Sequence, residues 1–359
     1  MLAGTAATSY ASTSSNAKLL GIACVSKTNC TAVGDGPSSS YAYTLVEHWD
    51  GSTSSPVKSP NPGKPYIGNL SGVSCAGVSD CIAVGYSGTY AKVHALLERW
   101  DGSKWALMLA PSVKGPAFLQ GVACTRLSHC SAVGYVTRGS ADHTLIERLS
   151  GSRWSVLTSP NPSGSSSRLN AVACTSDVNC TAVGSQTATG NPTLVEHWDG
   201  MHWSVVPSPS RGDIHSELDG VACANRSNCT AVGYYETMTG KYTLIEHWDG
   251  VKWSVVPSPN PRPSLTGPSS TLGGIACIGA SDCMAVGAGP SGRPLVTHWN
   301  GMSWSLVRTP RVFGELASIS CRSASWCLAV GWKTTAVAET DTLVERWNGL
   351  KWSIAKSAS

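Results

Sequence analysis

Apolar residues occur along this chain in short runs broken by glycine, proline, serine and asparagine. The segment Leu218–Pro259, LDGVACANRSNCTAVGYYETMTGKYTLIEHWDGVKWSVVPSP, shows the pattern most cleanly. It reads as four strands. Strand A is predicted over Leu218–Cys223 and strand B over Cys229–Gly233, with a tight turn between them. A variable loop leads to strand C, Thr243–Trp248; Asp249-Gly250 then marks a hairpin. Strand D follows over Trp253–Pro257, and a Ser/Pro/Asn linker leads on. No stretch has the period or length of a useful helix.

This block recurs through the chain. Cysteines fall in seven pairs, each with five residues between its members: Cys24/Cys30, Cys75/Cys81, Cys124/Cys130, Cys174/Cys180, Cys223/Cys229, Cys277/Cys283 and Cys321/Cys327. Successive first cysteines lie 51, 49, 50, 49, 54 and 44 residues apart. Four antiparallel strands repeated seven times at that period specify an all-β fold, a seven-bladed β-propeller. A linear β-solenoid competes, but its rungs are usually about 20–30 residues. The blades are expected at about 19–62, 70–112, 119–162, 169–210, 218–261, 272–310 and 316–359, with residues 1–18 outside the repeat.

The repeat L-x-G-V-A-C…C-x-A-V-G…G-x-x-W resembles the sialidase-type (BNR) and photosystem-assembly-type propeller repeat. The resemblance spans nearly the whole chain and implies a fold, not a function. Trp248 stands where a sialidase Asp box would carry its aspartate, and no sialidase arginine triad is evident, so sialidase activity is not implied. The cysteine-bearing version is similar to uncharacterised secreted propellers of filamentous bacteria.

The 14 cysteines therefore resolve as one intrablade disulfide per blade, since residues directly opposite in an antiparallel hairpin are within disulfide reach. This implies an oxidising, extracellular or cell-surface location. Residues 1–18 lack the basic start and apolar core of an export signal. They are instead a candidate for self-assembly. The last blade already holds four strands, so ring closure is expected by packing alone or by the tail crossing the seam. No apolar run reaches the length of a membrane span, and a net charge of +4 is too mild and scattered for nucleic acid. No metal or cofactor motif appears.

Twelve of the 14 tryptophans belong to the frame around the C–D turn, such as Trp100/Trp105 and Trp248/Trp253, and are expected as wedges between blades. A Glu-His or Glu-Arg pair precedes the first of them: Glu47-His48, Glu98-Arg99, Glu147-Arg148, Glu196-His197, Glu246-His247 and Glu345-Arg346. Each Glu is expected to meet the His or Arg of an adjacent blade. Lys104, Arg153, His202, Lys252 and Lys351, before the second tryptophan, form a smaller basic ring on the outer rim of the A–B/C–D face.

Function is sought where the copies differ, in the B–C and D–A loops around one mouth of the central channel. After each A-V-G stands Asp35, Tyr86, Tyr135, Ser185, Tyr234, Ala288 or Trp332, and the aromatic ones are candidate ligand contacts. The second position of strand A is equally variable, and Gln120, Asn170 and Asp219 from consecutive blades could converge on one ligand. The linker Arg211-Gly212-Asp213-Ile214-His215-Ser216-Glu217 concentrates charge. If the protein is an enzyme, Asp213, Glu217, Asp219 and Glu236 supply its carboxylates and His215 assists. The leading expectation is a secreted, non-enzymatic module binding carbohydrate or a protein partner on the loop face. A glycoside hydrolase or lyase is the rival, and a surface or filament protein assembling through its tail is the third reading.

Overall fold

The computed structural model describes residues 16–36, 43–61, 67–89, 92–126, 128–162, 166–187, 190, 192–211, 214–263, 267–335 and 339–357. Seven antiparallel sheets follow one another, each built from consecutive strands A to D. In blade 1 these are Lys18–Ser26, Asn29–Gly36, Tyr43–Trp49 and Thr53–Pro56. In blade 5 they are His215–Asn225, Asn228–Thr237, Gly240–Trp248 and Trp253–Val255. No helix among the described residues is long and apolar enough to cross a membrane.

All seven disulfides form within blades, with Cα atoms 4.0 Å apart. They are Cys24–Cys30, Cys75–Cys81, Cys124–Cys130, Cys174–Cys180, Cys223–Cys229, Cys277–Cys283 and Cys321–Cys327. Each joins directly opposed residues at the A–B turn, as in Cys24 with Cys30. The strand B member is buried in every blade: Cys30, Cys81, Cys130, Cys180, Cys229, Cys283 and Cys327. The strand A member is partly buried in blades 2 to 7 and buried in blade 1. The cysteines therefore serve the packing of the sheets as structural crosslinks. Bonded to each other inside the sheet stack, none is a free thiol.

Cys30 is also opposite Trp49, so the A–B and C–D turns share one face and the B–C loops and D–A linkers share the other. The indole N–H of the first tryptophan donates to a carbonyl of the A–B turn, Trp49 to Lys27 at 3.2 Å and Trp347 to Ala324 at 3.0 Å. The second tryptophan is buried in every blade that has one.

One leucine of strand A is fully buried in every blade: Leu19, Leu70, Leu119, Leu169, Leu218, Leu272 and Leu316. The residue after it is skipped in the pairing with strand B, as between Leu218 and Gly220. This β-bulge turns the skipped side chain out of the sheet and toward the axis. The same bulge explains the glycine of A-V-G. A Cβ on Gly233 would lie 1.9 Å from the Glu217 carbonyl oxygen, and the other six glycines are as tightly placed.

The glutamates before the first tryptophan are buried, but their observed partners are not the expected His or Arg. Adjacent residues of a strand face opposite sides, and the basic side chain points elsewhere. Arg99, for example, pairs with Asp80 of its own blade. The carboxyl instead meets a serine hydroxyl from the linker of the preceding blade. Ser59 donates to Glu98 at 2.8 Å, Ser159 to Glu196 at 3.0 Å and Ser208 to Glu246 at 2.5 Å. A threonine at the start of strand C joins each serine, as Thr44 does Ser59 at 2.7 Å. The linker asparagine accepts from the same threonine's backbone N–H, at 2.8 Å from Thr44 to Asn61, and Ser210 takes its place for Thr193. The Ser-Pro-Asn linker is thus an interblade clasp.

Closure is not by packing alone: the end of the N-terminal tail crosses the seam, as one of the two expected modes has it, and a C-terminal strand joins it. Lys356–Ser357 adds a fifth, parallel strand beside strand D of blade 1, pairing with Thr53 and Ser54. Asn16 and Ala17 donate backbone hydrogen bonds to the Thr340 carbonyl of blade 7. The two ends therefore hydrogen-bond across the seam, over a core that includes Leu19, Trp49, Trp326 and Val344. Residues 1–15, the rest of the proposed assembly tail, lie outside the described residues.

Candidate functional site

The bulged residues Leu20, Ser71, Gln120, Asn170, Asp219, Gly273 and Ala317 all line one central cavity of about 180 Å³. Gln120, Asn170 and Asp219 are three of these, and Asn170 and Asp219 are in contact. The Asn170 amide donates to the Glu217 carboxyl at 2.8 Å, to the Leu218 carbonyl at 3.1 Å and to Asp219 at 3.2 Å. One side chain of blade 4 therefore holds two carboxyls of blade 5.

His215 to Glu217 are linker by composition but belong to strand A of blade 5, opposite Glu236 to Tyr234 of strand B. The hairpin continues past the core because its B–C connection is a tight turn closing Thr237 against Gly240. This extension fixes Glu217. Its carboxyl accepts from Tyr234 at 2.9 Å and Ser185 at 3.4 Å, and faces the His215 ring nitrogen at 3.3 Å. Burial alone would raise the Glu217 pKa, but the His215, Asn170 and Tyr234 hydrogen bonds and the His215 charge overcome it and hold the carboxyl low. Asp219 moves the other way. Burial raises it well above the usual range, and the Glu217 and Glu315 charges add to the rise. Glu236 lies opposite Lys241 on the same hairpin. Asp213 lies outside the described residues.

The aromatic candidates stand around this mouth. Tyr86 meets Phe118 edge-on at 5.1 Å, and Phe118 stacks on Tyr135 at 4.8 Å. The Arg168 guanidinium lies 4.4 Å from the Tyr135 ring centre, and a second bond ties it to Asp142. Lys241 stands 4.4 Å from the Tyr234 ring and Lys18 4.9 Å from the Trp332 ring. Basic groups therefore cap the faces of Tyr135, Tyr234 and Trp332.

A further variable position, of which only Glu217 stands out by composition, lies just before the buried leucine: Lys18, Asn69, Phe118, Arg168, Glu217, Thr271 and Glu315. Each lies across from the residue after A-V-G, as Lys18 does from Asp35 and Glu315 from Trp332. The signal was present, because this position varies in charge and size beside an unvarying leucine. Burial raises the Asp35 and Glu315 carboxyls, against the pull of Lys18. The mouth thus mixes basic groups, aromatic rings and carboxyls at equivalent positions of different blades, and of the carboxyls Asp219 lines the axial cavity.

No protein-family model matches the chain, and no curated protein matches it. Solved structures match in fold. YCF48 bound to D1 peptide superposes with a TM-score of 0.56 at 14% identity, over 93% of this chain and 92% of that one. YCF48 from Cyanidioschyzon merolae gives 0.55 at 14%, over 93% and 96%. A GH74 xyloglucanase from Xanthomonas campestris gives 0.63 at 12%, over 96% of this chain and 55% of the enzyme. At these identities the likeness is one of propeller fold alone.

Proposed function

We propose that this chain is an exported, non-enzymatic binding protein whose loop face recognises a polypeptide partner. The observation that carries the reading is the break in symmetry at the channel mouth. Where the packing leucine never changes, the residues on either side of it differ from blade to blade, and those after it line one cavity. Basic groups capping the aromatic faces leave hydroxyls, edges and charges for a ligand. That suits the amides and mixed charges of a peptide better than the C–H face of a sugar. The same architecture is found in YCF48 bound to D1 peptide, which is consistent with this use. Seven disulfides support export to an oxidising compartment.

A second reading rests on Glu217 and Asp219, whose opposite pKa shifts resemble those of an acid–base pair. Against it, Glu217 is engaged by donors from four residues of the protein itself. Peptide and glycan arrays probed in parallel separate the readings. The proposal expects peptide hits that persist unchanged on incubation. Glycan hits that are cleaved would establish the enzyme instead.

A further inference from the structure

The face bearing the A–B and C–D turns breaks its own symmetry in a way the loop face does not explain. The residue after the C–D turn glycine is Ser52, Ser103 and Ser152 in blades 1 to 3. In blades 4 to 7 it is Met201, Val251, Met302 and Leu350, exposed by 74%, 83%, 85% and 88%. Four consecutive blades thus carry an apolar side chain at the tip of the same hairpin. Each tip is held rigidly. Asp199 accepts from the Met201 and His202 backbone N–H groups at 2.7 Å, and Asn348 from those of Leu350 and Lys351 at 3.0 Å.

We propose that this arc docks the protein on an anionic lipid surface. The tips stand one to a blade, each at the end of its own hairpin, with the exposed Val178 beside the tip of blade 4, a spaced arrangement unlike the fully buried core of a protein interface. A bilayer interface accepts such tips independently. Charge agrees with that occupant. Val251 is followed by Lys252 and Leu350 by Lys351, both exposed, and Arg226 and Arg322 stand exposed at the A–B ends of the same two blades. The exposed carboxylates among these four C–D turns are Asp199 and Asp249, folded onto their own turn amides. In blades 6 and 7 the equivalent residue is an uncharged asparagine. Apolar tips beside cations gain from both apolar insertion and attraction to anionic headgroups.

Co-sedimentation of the full chain with vesicles tests this. Phosphatidylcholine vesicles containing phosphatidylserine are compared with phosphatidylcholine alone. The chain is expected to pellet with the anionic vesicles. The variant M201S/V251S/M302S/L350S should bind at least about tenfold more weakly. It installs the residue that blades 1 to 3 already carry, and an unchanged melting temperature confirms that it folds. K252E/K351E should remove the preference for anionic lipid. Wild-type protein left in the supernatant, or a serine variant that pellets equally, overturns the proposal. So does light scattering that finds a wild-type dimer made monomeric by the serine variant, which would assign the arc to a second copy of the chain.

Discussion

Asn170 of blade 4 donates its side-chain amide to Glu217 of blade 5 at 2.8 Å. Through that bond one blade orients the charged edge of the next. Replacing Asn170 with Leu removes the donor and leaves a half-buried carboxylate short of a partner. The expected loss is about 1–3 kcal/mol of stability, read from denaturant unfolding. Asn170→Gln should recover part of it. A variant as stable as wild type would show that the bond does not hold the site.

The bulge glycine beside Glu217 offers a sharper test. Gly233→Ala drives a Cβ into the Glu217 carbonyl, so either the bulge flattens or the sheet opens. A loss above about 4 kcal/mol is expected. Gly279→Ala, with open space around the added carbon, should change stability little. Equal effects at the two positions would remove the steric reason for A-V-G.

The interblade carboxyls make stability depend on pH. Burial pushes Glu98 and Glu246 up to about 7 and Glu147, Glu196 and Glu345 up to about 8. Folded values above the unfolded value of about 4.3 mean that these groups fold as neutral acids. Their contribution is fully present below that unfolded value and is lost as pH rises through 7 to 8. The melting temperature should therefore fall between pH 6 and pH 9. A flat or rising curve over that window would contradict the assignment.

Three seams lack the serine–carboxyl clasp, one of them because blade 6 carries Thr297 in place of the glutamate, its hydroxyl without a partner among the described residues. Ala110 stands where other linkers carry serine, and neither carboxyl oxygen of Glu147 finds a partner among the described residues. Ala110→Ser should restore the missing donor and stabilise the protein by about 1 kcal/mol, with a shallower loss toward alkaline pH. At the third seam Thr309 donates to the Pro294 carbonyl, and both oxygens of Glu345 are without a partner among the described residues.

A single disulfide should matter only moderately. Cys174→Ser with Cys180→Ser opens one short loop, and roughly 2 kcal/mol of stability is expected to go. Calorimetry should still show one cooperative transition, because the flanking seams remain packed.

The propeller, its blade count and its disulfides were legible because they follow from spacing, which repeats seven times. Strand lengths were less so. His215 to Glu217 look like linker by composition, and only their pairing with Tyr234 to Glu236 makes them strand. The glutamate partners were misread for a related reason. Sequence adjacency suggested charge pairing, whereas the actual partner of Glu98 is a hydroxyl 39 residues away. The axial site was half visible: the variable bulge residues Gln120, Asn170 and Asp219 could be picked out, but Arg168, Lys241 and Glu315 entered only through their neighbours in space. The clasping end strand at Lys356 has no sequence signature, since two backbone pairs to Thr53 and Ser54 suffice.

The most direct measurement is calorimetric titration of an array-selected peptide into the wild-type chain and into Gln120→Trp. The substitution fills the cavity from a bulged position whose side chain lies outside the strand pairing. Binding at the loop-face mouth predicts at least about tenfold weaker affinity with an unchanged melting temperature, a difference of about 1.4 kcal/mol or more. Equal affinity in the two proteins would place the peptide elsewhere and contradict the account.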